Sequence, residues 1–145
     1  MDIRGDDRGQ VIVEFAFALP ILALIILMIV DVGLVVREHQ VIQNAAREGA
    51  RFSCLPEYRK GAYADPTLVE NAIKTRVVDY CAQENVAINL GDVVVDQNYP
   101  IDGGIAIGSQ VTVTSNNRQM LLVGLPLLPT NTMSITARAV MRNLY

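Results

Sequence analysis

From Phe15 to Val30 the chain runs for 16 residues without a charge, interrupted only by Pro20. Val11, Ile12 and Val13 extend this run on one side and Val32 to Val36 on the other, with Asp31 between. The 20 positions from Val11 to Val30, wound as a helix rising about 1.5 Å per residue, span roughly 30 Å, the thickness of a bilayer's hydrocarbon core. We therefore expect a single-pass membrane protein, with a membrane part at about 11–36 and residues 53–145 left to build one small globular domain. A cleaved secretory signal is a poorer description. Such a signal has an apolar core of about 7–15 residues ending at a small-residue site, whereas this run continues past Asp31 into Val35 and Val36.

Charge does not set the orientation. Arg4 and Arg8 precede the helix among Asp2, Asp6 and Asp7, and Arg37, Arg47 and Arg51 follow it. The short N-terminal tail and the two cysteines favour the N-terminus inside and the C-terminal domain outside the cytoplasm.

The helix is expected to continue beyond the membrane to about Phe52. Val32, Val35, Val36, Ile42, Ala45, Ala46, Gly49 and Phe52 recur at three- and four-residue spacing, with Arg37, Glu38, Gln40, Gln43, Asn44, Arg47 and Glu48 on the other face. Asp65-Pro66 reads as a helix start, since Asp65 can cap free N–H groups and proline suits the first turn. Val69, Ala72, Ile73, Val77, Tyr80 and Cys81 then form one face of a second helix ending near Glu84. Three strands are expected at Val93–Gln97, Gln110–Thr114 and Met133–Met141, with Asp102-Gly103-Gly104 turning the chain between the first two. Met120 to Pro129 reads as a loop whose leucines cover the core or offer a surface to another subunit. The fold class is α+β: a long N-terminal transmembrane helix continuing into a small domain with a second helix and a three-stranded antiparallel sheet.

A net charge of −3 and a pI near 5.0 argue against nucleic acid as a partner, which calls for a basic face. No cofactor is expected, and we expect a protein that is not an enzyme. His39 is the single histidine and reads as a solvated helix residue; no Cys-x-x-Cys motif suggests zinc. Gly103, Gly104 and Gly108 introduce no Lys-Ser/Thr helix, so they form a hairpin turn rather than a phosphate loop. We expect Cys54 and Cys81 to form a disulfide that ties the end of the first helix to the second, for which loop entropy predicts roughly 3–4 kcal/mol. Two buried thiols are the alternative.

Three features converge at the N-terminus: a polar leader ending Arg8-Gly9, then Gln10-Val11-Ile12-Val13-Glu14-Phe15, then an apolar helix broken by Pro20. Together they resemble a type IV prepilin, and more closely a TadE-like pseudopilin of the tight adherence (Tad) system. In that family a glycine precedes the processed bond, and a glutamate at the fifth mature position is followed by Phe or Tyr. Gly9, Glu14 and Phe15 match. The tract Gln43 to Arg51 also looks like the family's helix end. The resemblance is specific from about Arg8 to Phe52 and weaker beyond. It implies a leader of residues 1–9, cut between Gly9 and Gln10 by a prepilin peptidase. It also implies the role of a minor subunit in a filament or its inner-membrane assembly platform, with other pilins and pseudopilins as partners.

The physics of Glu14 points the same way. A carboxylate in hydrocarbon costs roughly 2.5–3.5 kcal/mol on insertion scales, and such residues usually mark function. Cleavage would create a cationic amine on Gln10. Helices stacked with an axial offset could set Glu14 of one subunit against the Gln10 amine of its neighbour, which fixes their stagger. Read alone, Glu14 is better described as an interfacial residue near the headgroups, and Pro20 is equally a tolerated kink. The alternative for the whole chain is a signal-anchored envelope domain that binds a partner, stays uncut and does not polymerise.

Overall fold

A computed structural model describes residues 7–58, 65–104, 106–118 and 133–142. Helix α1, Asp7–Ser53, is continuous over 47 residues and contains Pro20. At about 1.5 Å per residue it is roughly 70 Å long. Its lower half stands clear of the other described elements, with every residue from Val11 to Val30 exposed. Its upper half is a core element.

Helix α2, Pro66–Gln83, starts as its sequence predicts. The Asp65 carboxylate accepts hydrogen bonds from the Thr67 hydroxyl at 2.7 Å and the Thr67 backbone N–H at 2.9 Å. These two donors hold the Asp65 carboxyl below its ordinary pKa, the hydroxyl contributing most. The strands are β1, Val93–Ile101, β2, Ala106–Arg118, and β3, Met133–Arg142. They form an antiparallel sheet in the order β1-β2-β3. At the β1–β2 turn Asp102, Gly103 and Gly104 take φ of 53°, 70° and 95°, a left-handed run that glycine adopts without Cβ strain.

Both helices cover one face of the sheet, α1 against β2 and β3, and α2 against α1 and β1. The core joins Ile42, Ala45, Ala46 and Ala50 of α1, Val69, Ile73 and Val77 of α2, and Val93, Val111, Val113, Ile135 and Ala137 of the sheet. Burying each Val or Ile contributes about 1.5–3 kcal/mol. Small residues on α1 let the layers approach. A Cβ at Gly49 would collide with the Val77 side chain and lie 3.3 Å from a Val111 methyl.

The architecture is the expected α+β arrangement, with several corrections in detail. No disulfide joins Cys54 and Cys81; both are thiols. The reason lies in the helix directions. Arg37 donates to the Glu84 carbonyl at 3.5 Å and Arg76 to Glu48 at 3.2 Å, so α2 runs antiparallel to α1. Cys81 therefore sits near the level of Val41, about 13 residues and roughly 20 Å along the axis from Cys54, whereas a disulfide needs Cα atoms within about 7 Å. Glu38, expected on the solvated face, is buried, and Val32 and Val36, expected on the core face, are exposed. The core face of α1 keeps the expected Ile42, Ala45, Ala46 and Gly49 and adds Val41 and Ala50. β1 and β2 extend beyond the short apolar runs that signalled them. Pro100 is accommodated because β1 is an edge strand, where a missing N–H costs no ladder bond. The Leu-rich segment Met120 to Pro129, the basic pair Arg59 and Lys60, and the leader up to Asp6 lie outside the described residues.

Candidate functional site: the N-terminal third of the first helix

Gly9 and Gln10 lie in the first turns of α1, both exposed. Gln10 and Glu14 are four residues apart, so they share one helix face with a rise of about 6 Å between them. Glu14 is exposed, and among the described residues no hydrogen bond or ion pair to it is present. Phe15 follows it, 64 % exposed. Pro20 lies one and a half turns further on within unbroken helix, and it deprives the Ala16 carbonyl of its usual donor.

This segment is long and apolar enough to cross a membrane. Its exposure separates it from the core helix of a compact domain, since every residue from Val11 to Val30 is exposed. α1 is thus a membrane anchor carrying a C-terminal domain. From Val11 to Val30 its one acidic side chain is Glu14. A lone carboxylate on an otherwise apolar helix surface is costly to leave unpaired in hydrocarbon.

The expected site residues fall into two groups. Gly9, Gln10, Glu14, Phe15 and Pro20 are gathered on one continuous helix. Cys54 and Cys81 are not brought together with them or with each other. The Cys54 thiol points toward the Met141 carbonyl, at 3.8 Å, while Cys81 is enclosed in the core, where burial pushes its thiol up to about 11.

Several polar residues that hold the domain to α1 carried no sequence signal. Ser53 donates to the Ala50 carbonyl at 2.8 Å and is in buried contact with the Ser109 hydroxyl. The Gln97 amide donates to the Tyr58 carbonyl at 2.6 Å and to the Ser53 carbonyl at 3.4 Å, tying β1 to the chain just past α1. Gln43 donates to the Arg138 carbonyl of β3 at 3.1 Å. These are isolated Ser and Gln residues whose role depends on partners far away in sequence.

An anchor helix with an exposed acidic residue near its start, bearing a small α+β domain, is the class of protein defined so far. Residues 9–51 match the family model described as TadE-like protein, the same stretch on which the sequence resemblance rests. The match covers the first helix and not the sheet that follows it. No curated protein and no solved structure matches the chain.

Proposed function

We propose that the chain is a minor pseudopilin, a structural and assembly subunit of a Tad-type (type IVc) pilus rather than a catalyst. A prepilin peptidase removes residues 1–9 by cutting after Gly9. The mature chain sits in the inner membrane with its domain outside the cytoplasm, and it leaves the bilayer by docking α1 against the helices of other pilin and pseudopilin subunits at the assembly platform. The observation that carries this reading is Glu14, a single exposed carboxylate at the start of a 20-residue apolar surface, five positions into the chain that begins at Gln10. Pairing of that carboxylate with the Gln10 amine of a neighbour offsets two desolvation costs at once and sets the axial stagger. Phe15 and the apolar residues after it exchange lipid for helix contacts, and Pro20 supplies a point of local softness.

Intact-mass analysis of protein from cells containing the peptidase tests this reading. The expected chain begins at Gln10. A native chain still carrying Met1 to Gly9 would overturn it and favour the uncut envelope domain.

A further inference from the structure

The membrane-facing end of the domain carries a polar cleft. Ser109 of β2 meets Ser53, and Ser115 of β2 meets Glu38, so β2 runs down α1 toward the bilayer. α2 runs down as well and ends at Glu84, whose carbonyl accepts from the Arg37 guanidinium at 3.5 Å. Between these lower ends lies a cleft of about 480 Å³, lined by Leu34, Arg37 and Glu38 of α1, Glu84 and Asn85 after α2, and Asp92 before β1, among others. Sites for small ligands commonly have roughly 300–1,000 Å³.

The lining sets one cation, Arg37, against three carboxylates, Glu38, Glu84 and Asp92. Glu38 accepts from Ser115 at the back of the cleft. Asp92 accepts from the Asn116 amide at 2.8 Å and from the Asn89 amide and backbone N–H, both at 3.2 Å. These donors are neutral and leave its charge uncompensated. Among the described residues no ion pair engages Arg37, Glu84 or Asp92. The C-terminal end of α2 adds the negative pole of its helix dipole beside Glu84. Three carboxylates against one guanidinium disfavour a bare phosphate or an anionic headgroup. Nor do the acids converge as metal ligands do, since no group of three His, Cys, Asp or Glu among the described residues could hold an ion. The arrangement suits a ligand that carries an anion for Arg37 and, next to it, a hydrogen-bonding cation for the carboxylates.

Depth names the source of such a ligand. Val30 ends the fully exposed apolar run, and Leu34 and Arg37 follow it by four and seven residues, about 6 and 10 Å of helix rise. Headgroups extend the bilayer by about 5–7 Å on each side of the hydrocarbon. Side chains on a helix lean toward its N-terminus, which here is the bilayer side, so Arg37 leans into the headgroup layer. We propose that the cleft binds a phosphoethanolamine group, the headgroup of a lipid in the bilayer that α1 crosses. The phosphate meets Arg37 and the Asn85 amide, and the primary ammonium meets Glu84 and Asp92. A primary ammonium has three N–H donors for a carboxylate, whereas the trimethylammonium of phosphatidylcholine has none, so the cleft separates two zwitterions of equal net charge. The inference rests on α1 being a membrane anchor and is independent of processing or polymerisation.

The test is native mass spectrometry of the uncut full-length chain. The chain is reconstituted in vesicles of equal parts phosphatidylethanolamine, phosphatidylcholine and phosphatidylglycerol, floated with them, and released into detergent to identify the lipids it retains. The wild type is expected to retain phosphatidylethanolamine over phosphatidylcholine by about fivefold, the upper worth of one exposed ion pair. Glu84→Gln and Arg37→Gln, both at exposed positions, bring that ratio near one, while Glu57→Gln, exposed just past the upper end of α1, leaves it unchanged. Equal retention of the two zwitterions by the wild type would overturn the proposal. So would a preference that survives both cleft variants, or stronger retention of phosphatidylglycerol, which means that negative charge alone is read. Glycerophosphoethanolamine added to the chain in lipid-free micelles separates the sources: retention far weaker than the lipid's supports the bilayer headgroup, and retention equal to it assigns the cleft to a soluble ester and overturns the lipid. A chain that does not float with the vesicles removes the anchor and the site with it, whereas a floating chain without preference removes the site alone. Because the uncut chain is used, the outcome is separate from that of the cleavage test.

Discussion

Glu38 of α1 accepts a hydrogen bond from the Ser115 hydroxyl of β2 at 2.5 Å, joining positions 77 residues apart in a buried contact just above the membrane-spanning run. A hydrogen bond to a buried carboxylate is worth about 1.5–3 kcal/mol. Ser115→Ala is therefore expected to lower the domain's stability by about 1–3 kcal/mol. Thermal unfolding of the detergent-solubilised chain, followed by circular dichroism, measures it. An unchanged midpoint would show that the contact does not hold the domain to α1.

At Gly49 the requirement is spatial. A Cβ there meets the Val77 side chain and a Val111 methyl where α1, α2 and β2 converge. Gly49→Ala adds one carbon to a closed junction, and overpacking of this kind costs about 1–3 kcal/mol. The gain in helix propensity, about 1 kcal/mol, offsets part of that cost, so the predicted sign is a net loss in the same unfolding measurement. A net gain would mean that α2 shifts outward freely.

Cys81 supplies a test in pH. Its thiol is raised from 9.0 to about 11 by burial, so ionising it is harder in the folded chain than in the unfolded one. The unfolded state then loses its proton first. The associated stability is complete below about pH 9 and falls as pH rises toward 11. Cys81→Ala should flatten that alkaline decline. In labelling experiments at neutral pH, Cys54, which is partly exposed, should react with maleimide before Cys81, which reacts only on unfolding. Intact mass before and after reduction should be identical; a gain of two hydrogens on reduction would reinstate the crosslink.

Glu14→Ala should be trimmed normally, since the bond to be cut follows Gly9, yet enter filaments poorly. The comparison to make is the ratio of trimmed chain in sheared filaments to that in membranes. Equal ratios for wild type and variant would remove the register role assigned to this carboxylate.

The elements legible in the sequence were those with a single strong period. The α2 face of Val69, Ile73, Val77 and Cys81 and the β3 alternation of Ile135, Ala137 and Ala139 are buried as their spacing implies. What the sequence could not reveal depended on partners. Glu38 looked like a surface residue because no pattern along α1 announces a hydroxyl arriving from Ser115. Val32 and Val36 fit the apolar stripe, but both are exposed where the stripe runs into the membrane-spanning part of α1. The cysteine pairing depended on the direction of α2 relative to α1, and two cysteines 27 positions apart in sequence carry no information about it. In the candidate site, Glu14 stands out in the sequence as a charge in an apolar run, whereas among the described residues no cation meets it.

Because α1 passes unbroken from the exposed run at Val11 to the buried contacts of Ala50, the chain has no joint between what grips the bilayer and what holds the domain together. A tug on the lower end is felt at once by the sheet, and a torque on the sheet turns the lower end. The protein behaves as a lever with a folded handle. Whatever compliance it needs must come from below the handle, where Pro20 is the one residue that loosens the rod.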